Sequence, residues 1–266
     1  MVEYIMRSGL ILNHFVTKTG ESSLDLNTKH PNGCFFAILN TDNLYRRVMK
    51  IFLDCSDPEL IASAYETGLI DGVTTNPSLM LKAGEDPKHV IKEISAIFPW
   101  NASVSAEVVG DTAEEMLDMA EDYLEIGPNI TIKVPCTVEG LKACRELSND
   151  DVHVNVTLIF STAQALLAAK AGATYVSPFV GRVYDQHWNG IHLIEEIADV
   201  FATHELKTEV LAASIREPIQ VSDAFRVGAD ICTISVPIFY KLYKHILTDK
   251  GLELFDADWK ALQESI

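Results

Sequence analysis

From Met49 onward the chain repeats one beat eight times: a short β-branched or apolar run, a turn, then a stretch with helical spacing. Strands that alternate with helices pair in parallel through crossovers, and both faces of such a sheet must be covered. The strands read as Lys50–Asp54, 72–75, 103–108, Ile130–Pro135, 152–158, 174–179, 208–214 and 230–235. The helical stretches carry start and stop signals. Asp57-Pro58 opens the first, which Gly68 ends, and Thr112 with Glu115 has the spacing of a capping box. Ser161-x-x-Gln164 repeats that box before an alanine-rich helix closed by Gly172. Helices are also expected over 87–98, 140–147, 191–201, 217–227 and 237–247, with an extra C-terminal one over 256–266. Eight such units in about 220 residues match a (β/α)8 TIM barrel, an α/β fold. An open doubly wound sheet is the alternative, but no Gly-x-Gly-x-x-Gly turn follows the first strand.

Residues 1–48 do not share this beat. Gly20-Glu21-Ser22-Ser23 and His30-Pro31-Asn32-Gly33 read as loop, and Leu10-Ile11-Leu12 is too short for a signal sequence. Two parts are therefore expected: an irregular N-terminal extension over 1–48, disordered or absent from the native protein, and a barrel over 49–266. Met49 is the expected true start of the chain.

A net charge of −17 argues against nucleic acid or an anionic membrane as partner, because both favour a basic face. It leaves room for a phosphorylated metabolite, which needs only a few local donors. Five cysteines, widely spread and without a C-x-x-C pair, suit a reducing compartment, and no apolar run reaches membrane-span length. A cytoplasmic location is expected.

In a barrel of this kind the chemistry sits at the C-terminal ends of the strands. Those ends supply Asp54, Asn76, Glu107, Lys133, Asn155 with Thr157, Ser177, and Ser214 with Arg216. Lys133 interrupts the run Ile130-Thr131-Ile132-Lys133-Val134-Pro135, where alternation separates Thr131, Lys133 and Pro135 from Ile130, Ile132 and Val134. A charged ammonium on a buried strand is costly, and the free amine is the nucleophile of Schiff-base chemistry. The alternative is a lysine that merely lays its stem over apolar surface. A single polar residue at a strand end is ordinary; seven strands converging around one lysine form a constellation. It holds no metal set, since the histidines never recur at ligand spacing, and no cofactor is expected. Ser214-Ile215-Arg216 leads into a helix, and Arg182 follows strand six, a pairing suited to phosphate. Ordinary surface arginines paired with carboxylates are the competing reading.

These stretches resemble the transaldolase/fructose-6-phosphate aldolase family, and in particular its small-subunit transaldolases. The resemblance rests on Phe52-Leu53-Asp54, Gly72-Val73-Thr74-Thr75-Asn76-Pro77-Ser78, Ile132-Lys133-Val134-Pro135, the run from Asn155 to Ser161, that from Tyr175 to Arg182, and that from Leu211 to Arg216. It implies a transaldolase of the pentose phosphate pathway that moves a dihydroxyacetone unit between sugar phosphates. Lys133 would form the Schiff base and Asp54 would take the C4 hydroxyl proton. Glu107 would shuttle protons through a water positioned by Thr157. Asn76, Asn155 and Ser177 would hold the three-carbon unit, and Arg182, Ser214 and Arg216 the terminal phosphate. Glu107 and Phe179 are the transaldolase choices at positions where aldolase-type members carry Gln and Tyr. The resemblance also implies a homo-oligomer, pentamers stacking into decamers, with apolar contact from Val210, Ile238 and Leu252-Glu253-Leu254-Phe255. The competing readings are another class I aldolase and a barrel that binds sugar phosphates without turnover.

Overall fold

A computed structural model describes Met49–Ser265 and, before them, the pairing of Met6–Arg7 with Leu10–Ile11 as a two-residue antiparallel ladder. The chain divides into one unit over Met1–Arg46 and another over Arg47–Ile266. Apart from that ladder, the expectation for residues 1–48 lies outside the described residues.

The second unit is a closed barrel of eight parallel strands in sequential order. They are β1 (Lys50–Asp54), β2 (Gly72–Thr74), β3 (Ser103–Glu107), β4 (Ile130–Pro135), β5 (Val154–Ile159), β6 (Tyr175–Pro178), β7 (Glu209–Ala212) and β8 (Ile231–Ile234). Pairing of Cys232 with Ile51 closes the ring between β8 and β1. The helices are α1 (Pro58–Tyr65), α2 (Pro77–Ala83), α3 (Pro87–Ile97), α4 (Ala113–Leu124), α5 (Val138–Asn149), α6 (Thr162–Lys170), α7 (Val180–Asp185), α8 (Gly190–Thr203), α9 (Pro218–Arg226), α10 (Val236–Lys241) and α11 (Ile246–Ser265). The fold expected from the sequence is therefore the one observed.

Two layers of packing follow from strand alternation. Leu53, Val73, Val104, Ile132, Val134, Val156 and Val176 belong to the main core, shared with helix residues such as Ile61, Ile94, Met116 and Ile194. Phe52, Tyr175, Leu211, Ala213 and Ile231 form a second, smaller cluster. Gly72 leaves room for it: a β-carbon there would come within 2.8 Å of the Phe52 ring. Beside it, Lys50 reaches both carboxylate oxygens of Glu209 at 2.8 Å.

Local signals explain the boundaries. Asp57 caps α1, and Thr112 and Glu115 form the full capping box on α4. At α6 the box is shifted: Ser161 accepts from the Gln164 amide, but Gln164 Oε1 accepts from the amide of Phe160. Two short helices, α2 and α7, interrupt what reads as loop. The expected helix over 237–247 instead stops at α10. His245 then restarts the chain, its Nδ1 accepting from the Leu247 amide at 3.1 Å, and α11 runs on through the expected C-terminal helix. No residue of α11 is buried, and Leu252, Leu254, Phe255, Trp259 and Leu262 are exposed. Val210 and Ile238 must be withdrawn from the contact residues, because both are buried within the barrel unit. Among the described residues no helix is long and apolar enough to cross a membrane.

Candidate active site

Lys133 stands inside the barrel on β4, 5% exposed, with Ile130, Ile132 and Val134 turned to the outer core. Its ammonium meets Glu107 Oε2 at 2.8 Å and donates to the backbone carbonyl of Thr75 at 3.0 Å. The β3–β4 register pairs Glu107 directly with Lys133, which explains why the two side chains meet. A lysine whose nitrogen is held this way has a defined attack direction and a proton acceptor within reach.

Asp54 lies at the end of β1, half-buried, and accepts from Thr74 Oγ1 at 3.0 Å and from Asn76 Nδ2 at 3.5 Å. Thr74 Oγ1 also sits 2.6 Å from Thr233 Oγ1, so a Thr74 that donates to Asp54 accepts from Thr233. Burial pushes the Asp54 carboxyl above its ordinary range, against the opposing charge of Lys133 and these hydrogen bonds. A carboxylate held upward in this way is a stronger proton acceptor than an ordinary one. Asn76 has a second duty: its Oδ1 caps α2, accepting from the Leu79 amide at 3.0 Å.

On the other side of Lys133, the β4–β5 register sets Asn155 beside it. Asn155 is fully buried; it donates to Ser105 Oγ at 3.3 Å and accepts from Ser177 Oγ at 2.6 Å. Thr157 follows on the same face. Its buried hydroxyl has no hydrogen-bond partner among the described residues. Leu158, just beyond, has φ of 60° and the β5–β6 register shifts between Val156 and Ile159. Such a bulge ends regular pairing and re-aims the chain at the rim. On the β2–β3 side, a cavity of about 400 Å³ is lined by Thr75, Asn76, Met80, Glu107, Val109 and Tyr123, among others; Lys133, Asn155 and Thr157 do not line it.

The phosphate candidates gather around α7. Phe179 packs on the inner cluster and against Phe160, ring centroids 5.5 Å apart, and Arg182 lies over its ring at 5.1 Å. Ser214 and Arg216 flank Gly181, whose amide donates to the Ser214 carbonyl at 2.9 Å. The Arg216 guanidinium forms a two-pronged ion pair with Asp185. Thus the ordinary arginine–carboxylate pairing weighed from the sequence does occur, yet at the same rim as Ser214.

Most of the residues singled out in the sequence lie at C-terminal strand ends or just beyond; Lys133 is the fourth of six residues in β4 and Asn155 the second of six in β5. Lys133 and Glu107 meet, as do Asp54 and Asn76, and Asn155 and Ser177. The sequence reading passed over Thr74, Ser105, Asp185 and the Thr75 carbonyl. Ser105 sits two positions before Glu107, so alternation on β3 would have placed it inside the barrel. A backbone carbonyl leaves no trace in sequence. Among the described residues one grouping has metal-ligand types in reach of each other, Glu85, His89 and Glu93, and all three are exposed.

Similarity to known proteins bears on the family. Residues 51–266 match the family model described as Transaldolase/Fructose-6-phosphate aldolase. A probable transaldolase of Cereibacter sphaeroides is 50% identical over 82% of this chain and 99% of its own length. One from Lactiplantibacillus plantarum is 51% identical over 81% of this chain and 98% of its own. Another, from Caldicellulosiruptor saccharolyticus, is 52% identical over 80% and 97%. A solved mandelate oxidase is similar at a TM-score of 0.52 with 17% identity, covering 74% of this chain and 67% of that one, a likeness of fold alone. With a matched stretch spanning the whole barrel and relatives at about half identity, the chain belongs to the transaldolase/fructose-6-phosphate aldolase family.

Proposed function

We propose that the protein is a transaldolase that carries a dihydroxyacetone unit from a ketose phosphate to an aldose phosphate through a Schiff base on Lys133. The observation that carries this is the buried Lys133 ammonium held between Glu107 at 2.8 Å and the Thr75 carbonyl at 3.0 Å. A merely snorkelling lysine would have its head in water.

In this reading Glu107 receives a proton from the ammonium, and the freed amine attacks the C2 carbonyl of fructose 6-phosphate or sedoheptulose 7-phosphate. Loss of water from the carbinolamine gives a protonated imine, an electron sink. The unpartnered Thr157 hydroxyl suits a water that moves protons between Glu107 and the carbinolamine oxygen. Asp54 then takes the C4 hydroxyl proton, the C3–C4 bond breaks, and its electron pair passes into the imine to give an enamine. The aldose phosphate leaves. Asn76, Asn155 and Ser177 hold the hydroxyls of the three-carbon unit, and Arg182, Ser214 and Arg216 the phosphate. Glyceraldehyde 3-phosphate or erythrose 4-phosphate enters, C3 of the enamine attacks its aldehyde carbon, and Asp54 returns the proton to the new alkoxide. Hydrolysis of the imine then frees Lys133.

The second reading is a fructose-6-phosphate aldolase, the other activity in the family's description. It requires a proton to reach the enamine. Phe179, packed on Phe160 and covered by Arg182, brings no hydroxyl to that place. Product analysis separates the two. Fructose 6-phosphate is incubated with and without erythrose 4-phosphate, and the sugars are resolved by mass. Seven-carbon product appearing only with the acceptor supports transaldolase; steady free dihydroxyacetone without acceptor favours the aldolase. Absence of both returns the barrel to a binding role.

A further inference from the structure

Arg216 is held by two residues of one short helix. Gly181 and Asp185 are one turn apart on α7, so they share a face. At Gly181 a β-carbon would lie 2.2 Å from the Ser214 carbonyl oxygen and 2.8 Å from Arg216 Nε, so the arginine stem rests directly on bare backbone. At Asp185 the carboxylate takes one hydrogen from each terminal nitrogen of the guanidinium. Of the five N–H donors of an arginine, three remain, including Nε–H at the Ser214 end. Ser214 is itself fixed there with φ of 58°, a left-handed conformation uncommon outside glycine, its carbonyl tied to the Gly181 amide.

Resting on the phosphate assignment above, we propose that Asp185 is a positioning residue: it locks the Arg216 guanidinium so that its remaining donors face the substrate phosphate beside Ser214. An unrestrained arginine must lose rotamer freedom when it clamps an anion. One already pinned by a bidentate pair has given up most of that beforehand. An exposed ion pair adds little to stability, and both partners here are about half exposed, so its worth lies in orientation. Asp185 also offsets one of the two arginine charges at the rim, so replacing it by a neutral residue strengthens the raw field. If charge alone governed binding, that replacement would tighten phosphate binding; the positioning role requires the reverse.

The test compares acceptors. In a two-step transfer through a covalent intermediate, kcat/KM for the acceptor reports only the second half-reaction. The ratio of kcat/KM for erythrose 4-phosphate to that for erythrose therefore measures what the phosphate contributes. Asp185→Asn is expected to lower this ratio about tenfold, a loss on the order of 1.4 kcal/mol of transition-state binding, mostly through KM. Asp185→Glu is expected to restore part of it, and Asp185→Asn is expected to change nothing once Arg216→Ala is present. An unchanged or increased ratio in Asp185→Asn overturns the proposal, as does an equal fall in both backgrounds. If Arg216→Ala itself retains the full preference, the phosphate assignment falls and takes the proposal with it. Thermal midpoints of each variant separate these outcomes from loss of fold.

Discussion

Two lysine–glutamate pairs join strands of the barrel, both at 2.8 Å: Lys133 and Glu107 sit on adjacent strands, whereas Lys50 on β1 reaches Glu209 on β7 across the intervening β8, and the two pairs have different consequences. Lys50 and Glu209 keep roughly a third of their side-chain surface, and both carboxylate oxygens engage the ammonium. Lys133 and Glu107 keep 6% and 14%; one carboxylate oxygen engages, and the second partner is a neutral carbonyl. Lys50 stands next to Tyr175 and Asp230. Lys133 stands next to Asp54 and Asn155, and its partner Glu107 lines a cavity. An ion pair is therefore no mark of chemistry by itself. What distinguishes the second pair is dryness, incomplete neutralisation of the carboxylate and a ring of further polar groups.

The sharpest way to break this comparison is to replace each lysine in turn. Lys133→Met is expected to abolish transfer and covalent trapping together, measured as loss of product and of adduct mass. Lys50→Met is expected to retain both.

Asp54 gives the next effect. Asp54→Asn is expected to lower kcat on the order of 10²–10⁴-fold, the usual contribution of a general base. Its carboxyl is raised by burial, and the ionised form is the active one. Activity in the native enzyme should thus fall as pH drops through that raised value, and the same variant should lose this acidic limb. A folded carboxyl raised above its unfolded value also weakens the fold at neutral pH, so Asp54→Asn should unfold at a higher temperature than the native protein there.

Thr157 sharpens the contrast at the level of a single hydroxyl. Its buried hydroxyl makes no hydrogen bond to the described residues, so removing it breaks no contact within the fold. Thr157→Val, of the same shape, should slow turnover and leave the melting temperature close to that of the native protein. A variant that slows turnover and also melts lower would mean that the hydroxyl is structural.

The smallest effect belongs to the open pair. Lys50→Met should cost roughly 1 kcal/mol, as half-exposed pairs do. Burial works to lower the Lys50 ammonium, but Glu209, hydrogen-bonded to it, prevails and holds it above its usual 10.5. The stabilisation is therefore present in full below about pH 10.5 and is lost as pH rises through the raised folded value. Comparing thermal midpoints of the two proteins across alkaline pH measures it directly.

How much of this was legible in the sequence depends on the range of the interaction. The barrel was legible because each strand–helix unit carries its own period and caps, as with Thr112 and Glu115. The inward side of β4 was legible because one lysine among β-branched residues has only two faces to choose from. The α2 helix escaped notice because none of its seven residues is buried and its cap, Asn76, already had a reading as a site residue. The break between α10 and α11 turns on one histidine ring closing on an amide, which no periodicity announces. Arg216 with Asp185, and Lys133 with the Thr75 carbonyl, join residues 31 and 58 positions apart, and only the closed barrel brings them together.

The central claim, that Lys133 is the nucleophile, is tested most directly by mixing the protein with fructose 6-phosphate, reducing with borohydride and mapping the adduct by peptide mass spectrometry. The account predicts a reduced three-carbon adduct on Lys133, cleared when erythrose 4-phosphate is added before the reductant. An adduct on Lys50 or another lysine, or none on a folded protein, would contradict it.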